Sequence, residues 1–185
     1  MRPDIAYATM ALGQFNTSPT RAHLVCTKGV LRYLAGTVHI CLQFPCPPSP
    51  DTPILPTTHG LSDADWALDE KDCKSISGYC FYFLDSLVSW SARKQRTVST
   101  SSTESEYYAL ANAVKEAIWL KLFLNLMLLP SPTLLLILCD NQSTCTIANT
   151  DVIFSRTKHI DMQHHFILNT SLMDRLPPYG NLQPT

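Results

Sequence analysis

The longest regular pattern of polar and apolar positions starts near residue 99. The segment 99–110, S-T-S-S-T-E-S-E-Y-Y-A-L, is hydroxyl-rich at first. It then becomes helical in period, with apolar residues returning every three or four positions to about Leu128. Ser101 and Glu104 have the spacing of a capping box: the hydroxyl accepts a free backbone N–H at the helix start, and the Glu104 carboxylate reaches back. Glu106 is not needed for the cap. It is in helical register with Leu110, Ala113 and Ala117, at the head of the apolar face. Two readings of it remain open: a first-turn acid favoured by the helix dipole, or a member of an acidic cluster at a sheet edge.

The same reading orders the rest of the chain. Residues 4–14 have a weak helical pattern. Ser18-Pro19-Thr20 starts a second helix with Pro19 at or near its first position, Leu24, Lys28, Leu31 and Leu34 along it, and Gly36 as its stop. This hairpin is too small to fold alone, so its apolar faces need a partner. Residues 45–58 hold too many prolines for a helix or a central strand and read as a linker. Residues 61–67, L-S-D-A-D-W-A, alternate as a strand, with Asp63 and Asp65 on one face and Ser62, Ala64 and Trp66 on the other. A polar turn at 71–77 leads to a second strand, 78–84, G-Y-C-F-Y-F-L, then a turn at Asp85-Ser86 and a short third strand at 87–91. After the long helix, Pro130 and Pro132 precede 134–139, L-L-L-I-L-C, a continuous apolar run that suits a strand covered on both faces. Residues 141–149 predict a short helix capped by Asp140 or Asn141, 155–161 a polar loop, and 162–168 a further helix. Three strands, a helix, a strand and a helix predict a mixed sheet. A β-α-β crossover would place the apolar strand beside the first strand.

Composition narrows the function classes. The chain has 185 residues and is 45% hydrophobic but only 16% charged, so a real core is expected. The net charge of −1 gives no global basic field, and a nucleic-acid contact would need a local patch. The seven cysteines include no C-x-x-C pair, and no secretory leader is seen, so free thiols in an intracellular, reducing compartment are expected. No run is long and apolar enough to span a membrane.

In this topology Asp63, Glu106 and Asp140 converge at one sheet edge. Carboxylates that close repel one another unless a cation lies between them. An all-oxygen ligand set favours Mg²⁺ or Mn²⁺, and two such ions about 4 Å apart serve in-line displacement at phosphorus. Spacing alone is a weak signal, because fifteen acids offer several triads.

Several motifs occur in a telling order: S-D-A-D-W-A (62–67), K-S-I-S-G-Y (74–79), S-S-T-E-S-E-Y-Y-A-L (101–110), C-D-N-Q-S (139–143) and S-R-T-K-H-I-D (155–161). Together they resemble the ribonuclease H region of Ty1/copia-type retrotransposon polyproteins. The opening R-P-D-I-A-Y-A and the T-R-A-H and V-L-R-Y-L-A-G-T segments resemble the link that follows the reverse transcriptase. The resemblance implies an α/β, ribonuclease H-like mixed sheet of three antiparallel strands and then β-α-β, with flanking helices and a small helical hairpin in front. It implies two-metal cleavage of the RNA strand of an RNA–DNA hybrid, with Asp63, Glu106 and Asp140 as catalytic and Mg²⁺- or Mn²⁺-binding carboxylates; Asp65, on the same strand face as Asp63, is a substitute ligand by position alone. The corresponding organisation is a connection segment at 1–44, a linker at 45–58, the ribonuclease H-like domain at 59–168 and an irregular tail at 169–185.

Two departures from the family pattern bear on activity. No Y-x-D-D-like polymerase turn occurs in the chain. The family's fifth strand and fourth acid have no counterpart after residue 168: Asp161 belongs to K-H-I-D, and Asp174 lacks a matching context. A truncated, weakly active or non-catalytic remnant that only binds nucleic acid is therefore the alternative. Arg93, Lys94 and Arg96, following Trp90, offer a phosphate-contacting edge or an ordinary solvated turn. His159, His164 and His165 beside Asp161 raise zinc, but no cysteine has suitable spacing. Cys139 reads as a small buried hydrophobe.

Overall fold

The computed structural model describes residues 1–44, 58–67, 72–128 and 135–148. The expected linker up to residue 57, the S-R-T-K-H-I-D loop, the 162–168 helix, the histidine cluster and the tail lie outside the described residues; Thr58, expected in the linker, is instead the first residue of a strand. After a 3₁₀ turn at Pro3–Ile5 come α1 (Ala6–Gly13) and α2 (Arg21–Gly36). Then follow β1 (Thr58–Asp65), β2 (Ile76–Phe83), β3 (Ser86–Lys94), α3 (Ser102–Leu126), β4 (Leu136–Cys139) and α4 (Gln142–Ala148). The sheet order is β3-β2-β1-β4. β1 runs antiparallel to β2 and parallel to β4, and β2 runs antiparallel to β3. This is the expected mixed α/β sheet.

α3 packs on the face formed by Gly60, Ser62, Tyr79, Phe81, Ile137 and Cys139. Its own Tyr107, Leu110, Ala113, Val114 and Ala117 are buried against them. The nearness of helix and sheet is visible at Gly60, where an added Cβ would run into the Phe81 ring, itself fully buried. The opposite face begins with His59, stacked on Tyr82 at a centroid distance of 5.0 Å.

Element boundaries shift in informative ways. β1 starts at Thr58 and stops at Asp65, so Trp66 lies beyond the strand and donates its indole N–H to the Ser99 carbonyl at 3.2 Å. The β2–β3 turn is Leu84-Asp85 rather than Asp85-Ser86. Both residues have positive φ, 50° and 58°, as a two-residue primed turn demands. β3 extends through Lys94, so Arg93 and Lys94 are strand residues. Pro19 is not in the first turn of α2. The cap is Thr20, whose side chain accepts from the His23 N–H while His23 Nδ1 accepts from the Thr20 N–H. The hairpin docks through α1 against β3, with Lys94 Nζ donating to Gln14 Oε1 at 3.1 Å.

Candidate metal centre

The parallel register sets the site. Ser62 pairs with Cys139, so Asp63 and Asp140 follow at the carboxyl ends of adjacent strands. α3 begins beside them, and its first turn is tied down from three sides. Ser101 Oγ accepts from the Glu104 N–H at 3.2 Å. The Glu104 carboxylate does not close on the cap residue itself. It accepts from Thr100, the N–H at 2.6 Å and the hydroxyl at 2.7 Å, one residue earlier than the capping box requires. Gln95 is buried and uses its whole amide: it donates to Ser77 Oγ at 2.8 Å and to the Ser105 carbonyl at 2.9 Å, and accepts from Ser99 Oγ at 2.9 Å. From the other side, Thr144 Oγ1 donates to the Thr103 carbonyl at 3.3 Å, and Asn141 Oδ1 caps α4 through the Thr144 N–H.

This scaffold aims Glu106 at the strand ends. The residue is 7% exposed, and its Oε2 has no hydrogen-bond partner. Burial first, then the charges of Asp63 and Asp140, push its pKa up to about 7, opposed by a hydrogen bond from the Ala64 N–H. Asp63 is raised by burial and then by Asp140, and is held by the same N–H. Ligand atoms of Glu106, Cys139 and Asp140 all lie within 4.8 Å of one another, a spacing that one metal ion can close. Asp63 is outside that group of three but is coupled to it through its charge. Asp65 is exposed and contributes only the smallest of the charge effects on Glu106.

Sequence reasoning missed two residues here. Cys139 is buried as expected, yet its sulfur belongs to the ligand group. The available signal was its place directly before Asp140 at the end of an apolar run. Gln95 lay among Arg93, Lys94 and Arg96, read as a phosphate-contacting edge or a solvated turn, and nothing in its neighbours marked it as a hub.

A groove of about 810 Å³ runs between α3 and the β2–β3 pair. Arg93, Arg96, Tyr108, Lys115 and Trp119 help line it. Glu116, also on the lining, is engaged by Ser89 Oγ at 2.6 Å. Lys94 is committed to Asp72 at 3.0 Å. Trp90 is not among the lining residues.

The mixed sheet, the β-α-β crossover and the carboxylates at the strand ends form the α/β architecture that the sequence motifs implied. No protein-family model matches the chain. Among characterised sequences it is 39% identical over 166 residues to the retrovirus-related Pol polyprotein from transposon TNT 1-94 of Nicotiana tabacum, covering 90% of this chain and 12% of that one. It is 41% identical over 170 residues to the retrovirus-related Pol polyprotein from transposon RE1 of Arabidopsis thaliana, covering 91% and 11%. It is also 46% identical over 119 residues to secreted RxLR effector protein 161 of Plasmopara viticola, covering 64% of this chain and 80% of that one. A similar solved structure is ribonuclease H1 from the halophilic archaeon Halobacterium salinarum NRC-1, at 13% identity and a TM-score of 0.45, covering 66% of this chain and 86% of that one. Over about nine-tenths of its length the chain is homologous to retrovirus-related Pol polyproteins of copia-type transposons, and it spans about a tenth of theirs.

Proposed function

We propose that the chain is a metal-dependent ribonuclease of the ribonuclease H type, hydrolysing the RNA strand of an RNA–DNA hybrid. The observation that carries this reading is Glu106, a buried carboxylate with an unpartnered oxygen facing two further acids. A buried acid among like charges is held fully ionised at neutral pH when a cation joins it. The oxygen donors of Asp63, Glu106 and Asp140 fit Mg²⁺ or Mn²⁺, with Asp65 two positions further along the strand as a substitute. When bound, a pair of such ions supplies Lewis acidity for displacement at phosphorus.

The remaining work falls to the chain. Gln95 and Thr144 hold the first turn of α3, so Glu106 is positioned before any substrate arrives. Arg93, Arg96 and Lys115 in the groove offer contacts to phosphates, and Tyr108 and Trp119 offer ring faces to a strand running along α3. Lys94, tied to Asp72, instead secures β3 to the 72–75 segment and to α1. Residues 1–44 act as the connection from a preceding reverse transcriptase. The parent polyprotein would then deliver the hybrid to the 59–168 domain.

The deciding experiment is cleavage of a labelled RNA–DNA hybrid in Mg²⁺ or Mn²⁺ by the wild-type chain and by Asp140→Asn. Metal-dependent cleavage that the substitution abolishes is the expected result. Binding of the hybrid without cleavage in either ion overturns the enzyme and leaves a nucleic-acid-binding domain in its place.

A further inference from the structure

The corner that holds the carboxylates also holds two thiols. Cys139 ends β4, is fully buried, and has its sulfur within 4.8 Å of both a Glu106 and an Asp140 oxygen. Cys145, in α4, is 4% exposed and donates from Sγ to the Cys139 carbonyl at 3.7 Å. A core cysteine needs no such neighbours. Here the sulfur stands beside a carboxylate whose Oε2 is buried without a partner.

Hard ions make little use of sulfur, whereas borderline-soft ions take thiolate and carboxylate together. We propose that Cys139, Glu106 and Asp140 form a thiophilic metal site that takes Zn²⁺ or Cd²⁺ in competition with Mg²⁺, with Cys145 supplying a second sulfur. In a tetrahedral zinc site, with Zn–S about 2.3 Å and Zn–O about 2.1 Å, neighbouring ligand atoms are roughly 3.4–3.8 Å apart. The 4.8 Å limit measured here closes to that with about 1 Å of side-chain adjustment. Each metal–sulfur bond forms as the thiol releases its proton to solvent, with no change of oxidation state. The sulfur–metal site exists whether or not the chain is a nuclease. Its inhibitory effect rests on the reading above, because an ion held by Cys139 withholds Glu106 and Asp140 from the hard ion.

The test uses the full chain with Cys26, Cys41, Cys46 and Cys73 changed to serine and Cys80 to alanine, which removes the other thiols. Cd²⁺ is titrated in and the ultraviolet sulfur-to-cadmium charge-transfer band is followed, with no nucleic acid present. A saturable band is expected that Cys139→Ser abolishes and Cys145→Ala diminishes. Zn²⁺ should also displace Mn²⁺, read by the paramagnetic resonance of the freed ion, at concentrations at least tenfold lower than Cys139→Ser requires. No band, or a band untouched by Cys139→Ser in a variant that keeps the parent circular dichroism, overturns the site. Failure of hybrid cleavage leaves the band readable, so the two proposals fail separately.

Discussion

Asp63 and Asp140 are the first residues past the last paired positions of two parallel strands, Ser62 and Cys139. The offset places two negative charges side by side at the strand ends, and Asp140 is the largest charge acting on Asp63. Glu106 then meets both from α3. The repulsion is a consequence of register, and a cation is its natural relief.

That repulsion makes apo stability depend on pH. The folded pKa of Glu106, about 7, lies above its ordinary 4.5, and Asp63 is raised as well. Between these values the folded chain binds more protons than the unfolded one, so stability falls as pH rises from about 4.5 to about 7 and levels off above it. Thermal unfolding across this range should show the decline. Saturating Mn²⁺ should reverse it, and Glu106→Gln should flatten most of it.

Glu104 and Glu106 should separate cleanly, though both are buried acids near the start of α3. Glu104→Ala removes two short hydrogen bonds to Thr100 and should cost about 2 kcal/mol, as charge-assisted bonds do, while Mn²⁺ affinity stays near wild type. Glu106→Gln should leave apo stability at pH 7 unchanged or higher and weaken Mn²⁺ at least tenfold, the loss seen when even an outer partner of a metal site is removed. Calorimetric titration of the two variants decides it. Loss of the ion in Glu104→Ala would move the site to the other carboxylate.

Gln95→Leu keeps the approximate volume but leaves the Ser77 and Ser99 hydroxyls and the Ser105 carbonyl without their amide partner. A loss of about 2–3 kcal/mol is expected from unsatisfied buried groups, measured by urea unfolding. Mn²⁺ should weaken too, because Ser105 directly precedes Glu106 in α3.

The groove predicts a salt signature. Arg93→Ala and Arg96→Ala should each weaken hybrid binding, and each lost phosphate contact should reduce the slope of log K against log salt by about 1. Lys94→Ala should change the slope less and stability more, since its ammonium is spent on Asp72 and Gln14. Anisotropy at several salt concentrations reads both. Equal slopes in all three variants would remove the groove from the interface.

Gly60→Ala should cost about 1–3 kcal/mol, an overpacking penalty, because the new methyl meets the buried Phe81 ring. Chemical denaturation measures it, and the same change at Gly78, with its nearest neighbour 3.6 Å away, is the control.

Much of this was legible in the chain alone. Period and breakers marked every α-helix and strand among the described residues, though not the 3₁₀ turn at Pro3–Ile5. The long helix, the aromatic second strand and the short apolar strand stood out because burial of one or both faces imposes a pattern on neighbouring residues. The carboxylates were legible too, since Glu106 sat on an apolar helix face and Asp140 ended an apolar run. Other features depended on contacts between residues distant in sequence. The 3.0 Å pairing of Lys94 with Asp72, the full use of the Gln95 amide by Ser77, Ser99 and Ser105, and the Cys139 sulfur beside Glu106 leave no periodic trace. Hydrophobic periodicity records which way a side chain faces. Which polar atom meets it there is set by strand register and helix placement, and those are decided only when the chain folds.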